Sequence, residues 1–328
     1  MPERSSLTQG VQVGVEATPG TAVAANKKFI SIGITPAIQM DPNRFRPMGQ
    51  KFASIVVPGK EWVEASIEGV GSYTELTWFF ASVFKDPGAP STVDTSGKKW
   101  TFSPAPAAED TVKTFSVEQG GAVRAHKFAY GLVTDLDITW NREEVAVSGT
   151  MLGQKISDGI TMTATPTTPP EVPILPGEVD VFLDPTFAAL GTTKLTRVLE
   201  VKKSIASRFA PVWVVDSAQA SYVAHVESEP TTEVTLSMEA DVAGMAQLAQ
   251  MRAGSTKFLR VACTSATLAG SATAKYALVW DSAVKIKDVG DFSDEDGVYA
   301  IEWTFEVVYD AGWTKALTID LTNKETTL

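Results

Sequence analysis

Between residues 61 and 69 the chain reads EWVEASIEG, and apolar and polar side chains alternate. Val63, Ala65 and Ile67 fall on one face, Glu64, Ser66 and Glu68 on the other. A period of two marks a strand with one buried face. The pattern returns in TTEVTLSMEAD, where Val234, Leu236 and Met238 oppose Glu233, Thr235, Ser237 and Glu239. Two longer stretches carry it across a turn. In LVTDLDITWNREEVAVSGTML, Leu136, Ile138 and Trp140 oppose Asp135, Asp137 and Thr139, with a turn at Asn141-Arg142-Glu143. In SAVKIKDVGDFSDEDGVYAIEWTFEVVYD, Ile301, Trp303, Phe305, Val307 and Tyr309 oppose Ala300, Glu302, Thr304 and Glu306. Its turn falls at Asp296-Gly297, a hairpin dipeptide.

The period changes in two places. SYTELTWFFASVFKDPG sets Tyr73, Leu76, Phe80, Val83 and Phe84 at helical spacing. Ser72 with Glu75 three residues on predicts a capping box, and Asp86-Pro87-Gly88 a stop. A weaker helix is expected over VAGMAQLAQMRAG, capped by Asp241, interrupted by Gly244 and ended by Gly254.

These elements recur in one order. Each half opens on a Val-rich strand, GVQVGVEATPGT and then GEVDVFLDPTFAALGT, and continues through a hairpin, a strand, a helix and a closing hairpin. Between the halves, TATPTTPPEVPILPGE holds five prolines and reads as a linker or bridging arm. The expectation is a mainly β protein of two tandem antiparallel β-sandwich or barrel domains, each with one flanking α-helix. The boundaries fall at residues 1–162, a linker at 163–178, and 179–328. An exposed leading strand invites pairing with another chain, and here it occurs twice.

Length and composition agree with this reading. The 328 residues, 44% apolar and 20% charged, suffice for two domains. The net charge of −11 is uneven: residues 1–170 carry 15 basic and 17 acidic side chains, residues 171–328 carry 13 and 22. An acidic surface argues against a phosphate-gripping nucleic-acid binder, but not against a wall that DNA slides past. MPERSSLTQG lacks the apolar core of a signal peptide, and no apolar run is long enough to span a bilayer. No conventional secretion and no membrane insertion are therefore expected.

Candidate chemistry is sparse. Cys263 lies in a strand-like KFLRVACTSA and reads as a buried structural thiol. His126 and His225 are distant from one another in sequence, and no nucleophile-elbow motif accompanies either. DFSDEDG resembles a calcium loop, but alignment on Gly297 puts Phe292 and Trp303 at ligand positions, so an acidic hairpin turn is the better reading. No Walker lysine or spaced dinucleotide glycines occur. The expectation is a protein without enzymatic activity, catalytic residues, metal or cofactor.

With these residues in hand, the chain resembles the major tail tube proteins of bacteriophages with long non-contractile tails. The resemblance rests on VQVGVEATPGTAVAANKKF, FRPMGQKFASIVVPGKEWVEASIEG, SYTELTWFFASVF and LVTDLDITWNREEVAVSGTMLGQ, covering about residues 10–156. The second half follows the same plan less closely. In that family, β-sandwich domains add strands to a continuous sheet lining a tube, and stacked rings conduct viral DNA. The resemblance implies six tube domains per ring, hence three copies of a tandem chain in pseudo-sixfold symmetry. It further implies a virion location after assembly in the host cytoplasm. The implied partners are further copies of the chain, a tail terminator, a tape measure and tail-tip proteins. Rival readings are a tail-tip or baseplate β-sandwich, and a bacterial surface carbohydrate-binding module.

Two sets of positions follow. Residues 40–59 are too long and too rich in Pro and Gly for a tight turn, yet carry apolar side chains. Arg44, Phe45, Arg46, Met48 and Phe52 are expected to reach the next ring, with the arginines meeting acidic groups there. For the lumen, the polar strand faces offer Glu64, Glu68, Asp135, Asp137, Glu239, Glu302 and Glu306. At least one acidic pair per domain is expected to line the bore, and a sandwich with two outward faces is not expected to place all of them there.

Overall fold

The computed structural model describes residues 9–121, 123–216, 218–240, 247–268, 270–271, 273–295 and 297–328. The chain is mainly β, with 53% of residues in strands and 7% helical. The first half contains β1 (Gly10–Val15), β2 (Lys27–Phe29), β3 (Ile32–Phe45), β4 (Ile55–Val70), α1 (Leu76–Val83), β5 (Ser91–Thr92), β6 (Lys98–Phe102), β7 (Phe115–Gly120), β8 (Ala125–Trp140), β9 (Val145–Gly153) and β10 (Ser157–Asp158). The second contains β11 (Val179–Asp184), β12 (Lys194–Leu195), β13 (Val198–Ala206), β14 (Phe209–Val212), β15 (Ala224–Glu227), β16 (Thr231–Glu239), α2 (Gln247–Ala253), β17 (Lys257–Thr267), β18 (Lys275–Val289), β19 (Ser293–Glu295), β20 (Val298–Val307) and β21 (Leu317–Asn323).

One pairing order occurs twice, antiparallel throughout. In the first half the strands run β1–β7–β8–β9–β4–β3. In the second they run β11–β17–β18–β20–β16–β13. β8 and β18 each change partner along their length, from β7 to β9 and from β17 to β20, with register irregularities nearby, as strands do at sandwich corners. The halves are also joined to each other. Residues 136–140 of β8 pair with Val201, Lys202, Lys203, Ser204 and Ile205 of β13, so a continuous eight-stranded sheet β3–β4–β9–β8–β13–β16–β20–β18 crosses the chain. The last strand, β21, returns to pair with β6.

The core follows this continuity. One apolar cluster reaches from Val13, Val63 and Phe80 to Trp280, Trp303 and Leu321 and does not divide at residues 163–178. That Pro-rich segment is strapped down: Tyr73 donates its backbone N–H to Val172, Ile174 donates to Gly71, and Thr167 bridges Asn26 and Lys28.

α1 differs from the expectation. All eight of its residues are buried, so it is a core element enclosed between layers and not a flanking amphipathic helix. Phe80 and Phe84 lie edge-on to Trp280 at 5.7 and 5.4 Å, an arrangement that adds to the area they bury. Each such aromatic contributes on the order of 1.5–3 kcal/mol by leaving water. The expected capping box does not form. Glu75 is buried and turns away to accept the backbone N–H groups of Ile30, Ser31 and Ile32 at 2.8–3.2 Å. Those N–H groups stand at the entry to β3, and the carboxylate satisfies them at the expense of the helix end. Burial pushes the Glu75 carboxyl up, against the effect of these N–H groups. For the second helix, the expected Asp241 cap and Gly244 lie outside the described residues; Gly254, at φ +59°, ends it.

The recurring leading phrase also has a physical reason. Glu16 closes β1 and Asp184 closes β11, and each carboxylate gathers the donors of the turn that follows. Glu16 accepts the N–H groups of Gly20 (2.8 Å) and Tyr130 (2.9 Å) and the hydroxyls of Thr114 and Ser116. Asp184 accepts Gly191, Thr192 and Thr193. Gly20 and Gly191 both hold positive φ, +81° and +100°, which glycine adopts without strain. Burial works against the Asp184 charge, but the hydrogen bonds from Thr193, Gly191 and Thr192 hold its carboxyl below the usual range.

Lys203 sits in the seam between the halves, opposite Ile138 and wholly buried. Its Nζ donates to the Trp280 carbonyl at 2.9 Å and the Ser282 hydroxyl at 3.2 Å. Burial pulls its pKa down to about 7, against the attraction of Asp281. The unfolded chain therefore binds a proton here between about pH 7 and pH 10.5 that the folded chain releases, and stability rises with pH across that window. Lys203→Met removes the penalty. The variant is expected to be more stable than the parent by on the order of 2–4 kcal/mol at pH 6, with the gap narrowing by pH 9. Urea unfolding at the two pH values checks this; a gap that is absent, or that widens with pH, contradicts it.

Candidate assembly surfaces

The eight-stranded sheet has one face against the main core; the other is polar and open except beside Trp62 and Leu152, which pack against a second apolar cluster that includes Phe209 and Tyr222, and the registers connect this polar face from end to end. A single row runs Gly33, Glu68, Ser148, Asp137, Ser204, Glu233, Glu306, Lys285 across all eight strands. A parallel row brings Thr35, Ser66, Thr150 and Asp135 together. Glu64, two residues along β4 from Ser66, lies on this face with Ala37 and Leu152 opposite it. Glu302 lies opposite Ser237, and Glu239 two residues further on. All seven acidic positions singled out from the sequence therefore share one face of one sheet. The β8–β13 seam brings this about by merging the polar faces of both halves.

Glu200 and Asp288 add to the same face, and lysines are interleaved. Lys202 meets Asp137 at 2.9 Å across the seam, and Lys287 meets Glu233. These pairs are partly exposed and worth little in stability; they fix local charge while leaving acidic groups in excess. Glu64 accepts the Trp62 indole N–H at 3.0 Å, and Asp135 accepts the Ser207 backbone N–H at 2.9 Å. Arg197 pairs with Glu239.

The segment at residues 40–59 is more regular than its composition suggests. β3 and β4 continue through it as a two-stranded ribbon in which Asn43, Arg44 and Phe45 pair with Val57, Val56 and Ile55. Only the tip, residues 46–54, is a turn. Proline is tolerated here because a two-stranded ribbon leaves one backbone edge of each strand unpaired. Phe45, Met48, Phe52, Ile55, Val56 and Val57 are exposed, as are Arg44 and Arg46, and Lys51 lies 5.7 Å from the Phe52 ring. These exposed apolar side chains are gathered on one two-stranded ribbon, a kind of surface through which proteins commonly associate.

The corresponding hairpin of the second half, β14–β15, is docked. Beyond Ser207, at φ +57°, it folds onto the first half. Trp213 packs on Trp62, Tyr222 on Tyr130 at 4.9 Å, and the Tyr222 hydroxyl donates to the Tyr130 carbonyl. Its root is Arg208, buried, which bridges Asp110 and Glu227 and donates to the carbonyls of Val83 and Phe84 at the end of α1.

The residues considered for catalysis lie apart from the acidic face and the β3–β4 arm, and His225 belongs to the docked hairpin. Burial pushes the Cys263 thiol up to about 12, which leaves it protonated and unreactive at neutral pH. His225 lies edge-on to Phe209 and meets the Tyr130 hydroxyl at 3.0 Å, and burial lowers its pKa. His126 lies against Asp158 beside Arg124. In the DFSDEDG segment, Asp294 accepts the Gly297 N–H at 2.9 Å within a hairpin turn, and Asp296 lies outside the described residues. Among the described residues there is no group of three His, Cys, Asp or Glu placed to hold a metal ion, and no helix long and apolar enough to cross a membrane.

No protein-family model matches the sequence, and no curated protein matches it.

Proposed function

We propose that the chain is the polymerising subunit of a phage tail tube: two tandem tube domains per chain, three chains per ring, and rings stacked into a conduit for DNA. The observation that carries this reading is the single acidic face running across eight strands of both halves, with one strand order repeated head to tail. A sheet built this way extends by adding further copies, and closure into a barrel removes every edge. Facing inward, Glu64, Glu68, Asp135, Asp137, Glu239, Glu302 and Glu306 repel phosphates and keep a duplex from adhering to the wall.

In this reading the β3–β4 arm is the contact between rings. Phe45, Met48 and Phe52 bury against the next ring, while Arg44 and Arg46 meet its acidic groups. The docked β14–β15 hairpin is the second half's version of the arm, bent back to lock the halves together. Tail terminator, tape measure and tail-tip proteins are the partners at the ends of such a tube. Negative-stain microscopy of the purified protein tests the proposal: tubes or stacked rings are expected, and discrete monomers at high concentration contradict it.

A further inference from the structure

We propose that the open edge of β3 pairs antiparallel with the open edge at residues 285–289 of β18 in a second copy of the chain. Between chains, this joint reproduces the β8–β13 seam that joins the halves within one. The number of copies rests on the tube reading above; the joint is argued from the repeat.

Within the chain, residues 136–140 of β8 are paired on both sides, by β9 and by β13, and β13 is paired by β8 and by β16. Their counterparts are half-satisfied among the described residues. β3 pairs only with β4, and residues 285–289 of β18 pair only with β20. These edges lie at opposite ends of the eight-stranded sheet, so each is free to meet the other in a neighbouring copy.

The side chains agree. Val63 and Val234 hold the same place in their repeated strands, and they face Ile38 and Lys203 respectively. Ile38 and Met40 thus stand where Lys203 and Ile205 stand in the second half. Lys203 and Ile205 are 1% and 2% exposed beside the seam, whereas Ile38 and Met40 are 55% and 48% exposed. Both continue the row of Ile32 and Ile34, which is buried core. On β18, Ile286 and Val289 face the same side and are only partly buried. Two apolar rows, one exposed and one only partly covered, each beside a backbone edge without a strand partner among the described residues, complement one another in the geometry the internal seam already uses. The two edges differ, so the contact is heterologous and propagates into a ring or a helix.

Cysteine pairs test the joint, because a disulfide forms only when the two Cβ atoms come within about 4 Å. Ile38→Cys with Val289→Cys, and Met40→Cys with Ile286→Cys, are expected to give chain-to-chain cross-links on mild oxidation in at least one pair, with neither single variant doing so. Ile38→Lys with Met40→Lys, at positions exposed in the single chain, is expected to stay folded by circular dichroism and to be monomeric by sedimentation. Normal assemblies without cross-links in either pair, or assembly undisturbed by the double lysine variant, overturn the joint and the closed eight-stranded wall, while tubes formed without it still support a polymerising subunit. A parent chain that is monomeric at every concentration overturns both.

Discussion

Replacing residues 42–59 with an Asn-Gly turn is expected to leave a folded, soluble chain that no longer forms tubes. Asp41 and Lys60 are paired across the base of the arm, so a two-residue turn closes the hairpin there. The excised side chains include Phe45, Met48, Phe52, Ile55, Val56 and Val57, all exposed and none part of the core, so thermal unfolding should change little. What is lost is the row of exposed apolar side chains on the arm. Sedimentation and negative-stain images of the variant beside the parent decide the matter: intact chain with no polymer is the expected result, and normal tubes contradict the role of the arm.

The second large effect concerns Arg208. Its guanidinium is buried between two carboxylates, Asp110 and Glu227, and two carbonyls at the end of α1. It ties the second half to the first. Arg208→Leu keeps much of the packing volume but leaves Asp110 buried with, among the described residues, only the partly exposed Lys85, 3.4 Å away, as a cationic partner. Removing one member of a buried ion pair costs about 3–5 kcal/mol. The urea midpoint of the variant should fall accordingly, and its β14–β15 hairpin should become sensitive to proteolysis first. A loss under about 1 kcal/mol contradicts the account, because it would mean the carboxylates find water or other donors with ease.

Much of the fold was legible where one face of a strand meets the core. The alternation of Val63, Ala65 and Ile67, and of Ile301, Trp303 and Phe305, gave strand and orientation together, because burial enforces a period of two. The turn at Asn141 was legible because its side chain serves the turn itself, accepting the N–H groups of Glu143 and Glu144 at 2.8 Å. The capping box failed for the opposite reason. Ser72 and Glu75 carry a local signal, but three N–H groups at residues 30–32, distant in sequence, compete for the Glu75 carboxylate and win it. The strands of the arm were not legible because Pro42, Pro47, Pro58 and Gly59 break the alternation, although a two-stranded ribbon tolerates them.

The acidic positions were legible strand by strand, since parity places each on a polar face. That they share one face was not, because it depends on β8 meeting β13, an edge-to-edge contact with no pattern of its own in the sequence. The repeated Glu16 and Asp184 were visible only as part of a recurring phrase; their role required knowing that Gly20 and Gly191 follow them in turns whose N–H groups point back.

The central claim is that this acidic face lines a bore closed by three chains. End-on averaging of tube images tests it most directly, carried to a resolution that separates strands. The account predicts three copies around the axis, six similar lobes, and an inner wall formed by β3–β4–β9–β8–β13–β16–β20–β18 with Glu64, Glu68, Asp137 and Glu306 facing inward. Six copies per ring, or an inner wall that is neutral or basic, would contradict it.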